Sequence, residues 1–455
     1  MSRSDLLEVQ SVSSMVSESE VIITDQFDET GAANQNTVRH KVIVPVARHL
    51  LKKKSVCHKL PRTLLTVAFL ATTLLFMIFI CIVYETWWTS KDPELGFKPH
   101  SKEDYKYHTD IVNYVNENKA SWKAEYNKFA SRGSDEDENE LEQDKSKDKD
   151  NEVMKKFADS KYAVFGDTLT YLPKLAARND IQLPTNFDAR LKWPMCSSVH
   201  RIYNQGSCGS CWSVSATSTM SDRICISTNA TQQPQISSTD LLTCCSHCGT
   251  CGGAVWPLYS FTYWKQNGIV TGGAYGSYEG CKPYDRPSAC GSPCSSDLYV
   301  PQESEKVCER QCQPVYGKKS YQDDIHKAKT AYWIKPIPNA EEYFPDIVEK
   351  ITKSIGNVSY TTLIKRELYL NGPAMACFPV FDELQHYKSG VYNRTSPNSR
   401  LLYGHCAKLL GWGVDEESGL EFWQYANTWG QDFGENGFFR VAITNLPEEV
   451  ASGNI

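Results

Sequence analysis

Residues 205–212 read Gln-Gly-Ser-Cys-Gly-Ser-Cys-Trp and run on into SVSATSTMSDRICI. Gly206 and Gly209 mark a tight loop, and Val214, Met220 and Ile224 recur at helical spacing among small residues, so a helix is expected to open at Cys211. A helix N-terminus carries partial positive charge and unsatisfied N–H groups, both of which favour a thiolate. Such a thiolate performs acyl transfer when an imidazole reaches it and a third group orients the imidazole. Beyond position 183 the histidines are His200, His247, His326, His386 and His405. His405 follows Gly404 and precedes the apolar run Leu409-Leu410-Gly411-Trp412, as at the start of a core strand. Asn427 offers an amide oxygen for the ring N–H, and Trp429 two positions on could shield that bond from water. The competing reading of Cys211 is one more half-cystine. Fifteen cysteines lie between Cys196 and Cys406, an odd number that cannot pair completely within one chain, but parity does not say which stays free.

These residues must be held by a folded body. The chain has 455 residues, 11% aromatic and 22% charged, with a net charge of −6. That length suits two to four domains and the aromatic content excludes a wholly disordered chain. The slight acidic excess gives no footprint for nucleic acid. Between Arg62 and Glu85 lie 22 residues without a charge (63–84), long enough to cross a bilayer as a helix. The flank before it is basic (Arg48, Lys52, Lys53, Lys54, Lys59, Arg62), so a single-pass signal anchor is expected, with 1–62 as a cytosolic tail and residues from 85 onward lumenal or extracellular. Sequons at Asn229, Asn357 and Asn393 fall on that far side, where disulfides are the default state of cysteine. Ile111, Val115, Trp122, Tyr126 and Phe129 recur at helical intervals, which predicts a helix or helix pair over 107–129. The run 134–150 holds nine acids and reads as a solvated linker. From 183 to 455 the chain is dense in Gly, Cys, Trp and Tyr, the main folded body.

Cys208-Gly209-Ser210-Cys211-Trp212 matches the signature C-G-[SA]-C-[WY] at every position. With Gln205, and with the segments SDRICI (221–226), DLLTCC (240–245), YKSGVY (387–392), GHCAKLLGWG (404–413) and ANTWGQDFGENGFF (426–439), the chain resembles a papain-superfamily cysteine protease, most closely the cathepsin B branch. The resemblance runs from about 105 to the end. It implies an α+β, papain-like two-lobe fold, with a helical left lobe, a β-barrel-like right lobe and a cleft between them. It also implies a stalk and propeptide over 85–182, carrying 134–150 as an insertion, and a peptidase domain over 183–455. The gaps of 194 and 216 residues from Cys211 to His405 and Asn427 exceed the roughly 130–150 typical of the family and fit the branch's insertions near 270–345.

Carried over residue by residue, Cys211 is nucleophile, His405 base then acid, and Asn427 the orienter. Gln205 and the Cys211 amide form the oxyanion hole, and Gly252, Gly253, Cys377, Gly404 and Cys406 line the substrate cleft. The resting Cys–His pair is expected as thiolate–imidazolium. Implied disulfides are Cys196–Cys225, Cys208–Cys251, Cys244–Cys308, Cys245–Cys248, Cys281–Cys312 and Cys290–Cys294. That leaves Cys377 and Cys406, which sit where the branch has Ala in the pocket for the second residue upstream of the cut, and which are expected as inert buried thiols rather than a bridge. The pocket's acid aligns near Pro447, with Glu448 as substitute, so an apolar pocket is expected. The 244–251 cysteines would also suit a zinc knuckle, a reading the oxidising compartment disfavours; no metal or cofactor is expected. Between Cys290 and Cys294 only Gly291, Ser292 and Pro293 intervene, and no His lies between Gly268 and Ile325. The branch's occluding loop, with the His pair that grips a C-terminal carboxylate, is thus missing, so the expectation is an endopeptidase with weak or no carboxydipeptidase activity. Its partners are polypeptide substrates, its own propeptide and a membrane; its place is lysosomal, or extracellular after processing. The alternative is an inactive binding protein on the same scaffold.

Overall fold

The computed structural model describes residues 70–83, 102–118, 120–130, 165–206, 208–254, 256–287, 307–317, 319–338 and 340–455. The tail 1–62, the acidic run 134–150 and the Cys290–Cys294 segment lie outside them. The chain divides into two compact units, Met1–Trp87 and Trp88–Ile455. In the first, residues 70–83 are helical, with Leu74, Phe76, Phe79 and Ile82 exposed. No helix among the described residues is long and apolar enough to cross a membrane. The expected anchor is therefore not established by the fold, since both ends of 63–84 lie outside the described residues.

In the second unit the elements, in chain order, are α1 (Lys102–Glu117), β1 (Trp122–Ala124), α2 (Thr168–Ala176), β2 (Phe187–Asp188), α3 (Cys211–Ser227), α4 (Ser238–Cys244), β3 (Gly249–Thr250), β4 (Gly253–Ala254), α5 (Leu258–Gln266), β5 (Thr330–Lys335), α6 (Pro345–Ile355), α7 (Tyr360–Asn371), β6 (Ala374–Phe381), β7 (Tyr387–Tyr392), β8 (Leu401–Val414), β9 (Glu421–Ala426), β10 (Phe438–Ala442) and β11 (Glu449–Asn454). A nine-stranded sheet runs β1-β7-β10-β9-β8-β6-β11-β5, with β2 paired to β8. Its pairs are antiparallel except β7–β10. Helices α3, α4 and α5 form the other body, with α3 against β8 and β11. This mixture of a helical part and a sheet part is the α+β, two-lobe arrangement.

Local chemistry sets the element ends. Ser237 and Ser359 cap α4 and α7 by accepting the backbone N–H of Asp240 and Thr362. Ile347, Ile351 and Ile355, four apart, are the buried stripe of α6. Helix α3 is different, being buried from Cys211 to Cys225 on every side. Its Ser, Thr and Ala side chains let neighbours approach closely, and each hydroxyl that bonds locally spares a buried polar group. Ser213 donates to the Ser238 carbonyl at 2.8 Å and Ser215 to the Cys406 carbonyl at 2.7 Å.

The 107–129 expectation is corrected. Helix α1 ends at Glu117, and residues 122–126 alternate buried and exposed with the period of a strand. Trp122 pairs with Gly390 and Lys123 with Ser389, so β1 extends the sheet at the edge of β7. Ladder bonds to an open edge outweigh a helical period that local sequence only suggested.

Candidate active site

Cys211 is the first residue of α3 and 8% exposed. The loop before it is tight: a Cβ on Gly209 would lie 2.3 Å from the Cys251 carbonyl oxygen, to which the Gly209 N–H donates at 2.8 Å. His405 lies on β8, is 3% exposed, and its Nε2 meets Asn427 Oδ1 at 2.8 Å. The same Oδ1 accepts the Thr428 N–H at 2.8 Å, which fixes the oxygen rather than the amide nitrogen toward the ring. Nε2 therefore carries the hydrogen and Nδ1 keeps its lone pair, the tautomer a base needs. The Trp429 ring lies 4.8 Å from the His405 ring and keeps water from this bond.

The two lobes are clamped at the site. Ser215 on α3 donates to the carbonyl of Cys406, the residue next after His405, at 2.7 Å. Two α3 turns further, buried Asp222 pairs with buried Lys408 of β8 at 2.9 Å. Thus the helix that carries the thiol and the strand that carries the imidazole share two polar contacts, at Cys406 and Lys408. Gln205 is held beside them, its Oε1 accepting from Thr428 Oγ1 at 2.5 Å and its Nε2 donating to the Cys208 carbonyl at 2.9 Å, which leaves its second N–H for another acceptor. A Cβ built on Gly404 or Gly253 would meet no atom within 4 Å, and Gly252 is exposed, so these glycines border open space.

A thiol at a helix start, an imidazole with an amide orienter and a spare side-chain N–H together suit acyl transfer through a thioester. Residues 183–449 match the papain family cysteine protease model. The chain belongs to the papain family of cysteine proteases. Its relatives include cathepsin B-like cysteine proteinase 3 of Caenorhabditis elegans, 36% identical over 73% of this chain and 77% of that protein. The gut-specific cysteine proteinase of the same organism is 38% identical over 64% of this chain and 78% of its own. Among solved structures, procathepsin B S9 from Trypanosoma congolense aligns with TM-score 0.49 at 25% identity, covering 77% of this chain and 97% of that one.

Burial acts on both members of the Cys211–His405 pair. Burial pushes the Cys211 thiol up, against the lowering contacts of the Cys406, Trp212 and Cys211 amides. Burial pushes the His405 imidazole down to about 4, although the Asn427 contact raises it. Burial thus opposes charge on each group taken singly, and the mutual attraction of thiolate and imidazolium works against it.

The structure joins Cys196 to Cys225, Cys208 to Cys251, Cys244 to Cys308, Cys245 to Cys248 and Cys281 to Cys312. Cys245 and Cys248 are spent on each other beside His247, so the zinc-knuckle sulfurs are not free. Cys377 and Cys406 also form a disulfide, which overturns the expectation of two inert thiols. Strand register is the cause: β6 and β8 place Cys377 directly opposite Cys406. Among the described residues the free thiols are Cys211 and Cys81.

The two acids that follow Pro447 differ in burial. Glu448 is exposed, whereas Glu449 is buried opposite Cys377, its Oε1 accepting from Trp333 Nε1 at 2.5 Å and from the Leu258 N–H at the start of α5 at 3.3 Å. Burial raises its carboxyl to about 7. Asn229, Asn357 and Asn393 are all exposed.

Proposed function

We propose that this protease is made as a membrane-anchored proenzyme and, once released, cuts polypeptides internally through a Cys211 thioester. His405 Nδ1 takes the Cys211 thiol proton, and the sulfur attacks the scissile carbonyl carbon. As the C–N bond breaks, His405 passes its proton to the leaving amine; it then deprotonates the water that hydrolyses the thioester. Asn427 holds the ring in the tautomer this requires. The spare Gln205 N–H and the Cys211 N–H stabilise the oxyanion. The observation that carries the reading is the 2.8 Å bond from His405 Nε2 to an Asn427 oxygen that also accepts the Thr428 N–H.

The proenzyme reading is supported by how residues before 183 pack. Phe129 stacks on Trp429 at 6.0 Å, β1 extends the sheet, and Tyr171 of α2 stacks on Tyr332 at 3.6 Å. The anchor, with a lumenal domain that reaches the lysosome or the outside, rests on the charge-free run 63–84 and its basic flank. Exposure of Asn229, Asn357 and Asn393 suits glycosylation there. Endopeptidase rather than carboxydipeptidase action rests on the three residues between Cys290 and Cys294 and the lack of His from 269 to 324.

An epoxide thiol inhibitor is expected to label the acid-processed protein, and Cys211→Ala to abolish labelling. Labelling that survives this substitution would sink the assignment. Peptides blocked at the C-terminus should be cut at least as well as free ones; a strict need for a free carboxylate would overturn the endopeptidase reading. Processing near Leu183 should move activity from the membrane to the soluble fraction.

A further inference from the structure

An oxyanion hole built from a side-chain N–H of Gln205 and the backbone N–H of Cys211 works only if the two donors keep a fixed separation. The Cys211 amide is set by α3 itself, since the Ser210 carbonyl takes the Ser213 and Val214 N–H groups at 2.9 and 3.0 Å. Gln205 stands five residues earlier on a loop, and the loop takes its shape from neighbours. The Gln205 N–H donates to the Thr428 carbonyl and the Gly209 N–H to the Cys251 carbonyl, each at 2.8 Å.

A third neighbour is Tyr284, 9% exposed. Its hydroxyl lies 2.7 Å from the Gln205 carbonyl oxygen and 2.8 Å from Ser210 Oγ. A carbonyl only accepts, so the single Tyr284 hydrogen goes to Gln205, and Ser210 donates to the Tyr284 oxygen. The result is one directed chain, from Ser210 through Tyr284 to Gln205, that joins the helix end of the loop to its donor end. Burial raises the Tyr284 hydroxyl well above the ordinary tyrosine value, so it stays a donor from acid to neutral pH and beyond. Tyr284 is itself fixed: its N–H donates to the Gly273 carbonyl at 2.9 Å, that of Lys282 to the Thr271 carbonyl at 2.9 Å, and Cys281 is bonded to Cys312. A Cβ on Gly206, whose φ is +63°, would lie 2.2 Å from the Pro287 carbonyl oxygen, so the stretch 284–287 lies flush against the loop.

We propose that Tyr284 is a positioning residue for peptide hydrolysis: its hydroxyl ties the Gln205 backbone to Ser210 and so sets the spacing of the two N–H groups that meet the oxyanion. The inference rests on the reading of Gln205 and the Cys211 amide as those donors. Without the hydroxyl, the buried Gln205 carbonyl loses this donor, and Ser210 Oγ keeps only the Cys208 carbonyl at 3.5 Å. The loop then shifts to satisfy the orphaned oxygen, and Gln205 shifts with it. The oxyanion exists only on the way through the reaction, so the loss falls on kcat rather than on substrate binding.

The test compares Tyr284→Phe, Gln205→Ala and the double variant as processed enzymes, by kcat and KM for a C-terminally blocked fluorogenic peptide across pH, with a melting curve for each. Misplacing a donor costs less than removing it, so Tyr284→Phe should lower kcat about 10- to 100-fold with KM little changed. The pH profile should drop in height with both limbs in place, because no group that titrates in this range has changed. With Gln205→Ala no pair of donors is left to space, so the double variant should be no slower than Gln205→Ala alone. Alkylation of Cys211 by iodoacetamide, which forms no oxyanion, should keep its rate in Tyr284→Phe. The positioning role is overturned by a folded Tyr284→Phe that keeps its kcat, moves a limb of the profile, or loses iodoacetamide reactivity in step with kcat; losses that multiply in the double variant overturn it too. Where Tyr284→Phe does not fold, Ser210→Ala, which the C-G-[SA]-C-[WY] pattern admits, breaks the same chain at its helix end. It should then give a smaller loss confined to kcat that vanishes beside Gln205→Ala, and an unchanged kcat overturns the role. An unaltered kcat in Gln205→Ala sinks the parent reading, whereas a slow Gln205→Ala beside a full-rate Tyr284→Phe sinks the positioning role alone.

Discussion

Asn427→Ala removes one acceptor and orphans two donors. Asn427 Oδ1 takes the His405 Nε2–H and the Thr428 N–H, each at 2.8 Å, in a site where His405 is 3% exposed and no bulk water replaces the lost oxygen. While the ring is an imidazolium the bond to Asn427 is charge-assisted, worth about 1.5–3 kcal/mol. At about 1.36 kcal/mol per tenfold, kcat should fall about 10- to 150-fold with KM little changed. The pH profile gives a second reading. The Asn427 contact is what raises the His405 pKa against burial, so its loss moves the limb governed by the imidazolium to lower pH. The assay is kcat and KM for a C-terminally blocked fluorogenic peptide across pH, with a melting curve to show that the variant folds. A folded variant that keeps its kcat, or loses rate only through KM with an unmoved profile, would refute the reasoning.

Gln205→Ala should lower kcat on the order of 100- to 1,000-fold if its spare N–H meets the oxyanion; a change confined to stability would remove it from that role. Glu449 has a carboxyl raised to about 7, above its unfolded value of about 4.3, so the stability it contributes is full below the unfolded value and is lost as pH rises to about 7. Glu449→Gln should therefore flatten the fall in melting temperature between pH 5 and 7, and an unchanged slope would show that the carboxyl titrates normally. Because that acid is neutral at pH 5, a peptide library there should show no Arg preference two residues upstream of the cut; a strong preference would contradict the burial argument. Phe129→Ala removes the ring stacked on Trp429 and should raise inhibitor labelling of Cys211 in the unprocessed chain at neutral pH, whereas unchanged labelling would mean that this contact does not hold the segment in place.

Sequence alone determined the chemistry that is written locally. The Cys208–Trp212 motif names a thiol at a helix start because the Gly209 loop and the small residues after Cys211 are contiguous, and the long charge-free run needs no tertiary context to be noticed. Tertiary structure decided what depends on register and dielectric. Residues 122–126 gave a helical period, yet an open sheet edge made them a strand. Cys377 and Cys406 bond because two strands align them, and Glu449 rather than Glu448 is buried because it opens β11 opposite Cys377. Tyr284 meets Gln205 and Ser210 from 79 and 74 positions away, contacts no local pattern encodes. Burial, a property of the whole fold, likewise decides that the Cys211 thiol is pushed up and the His405 imidazole down.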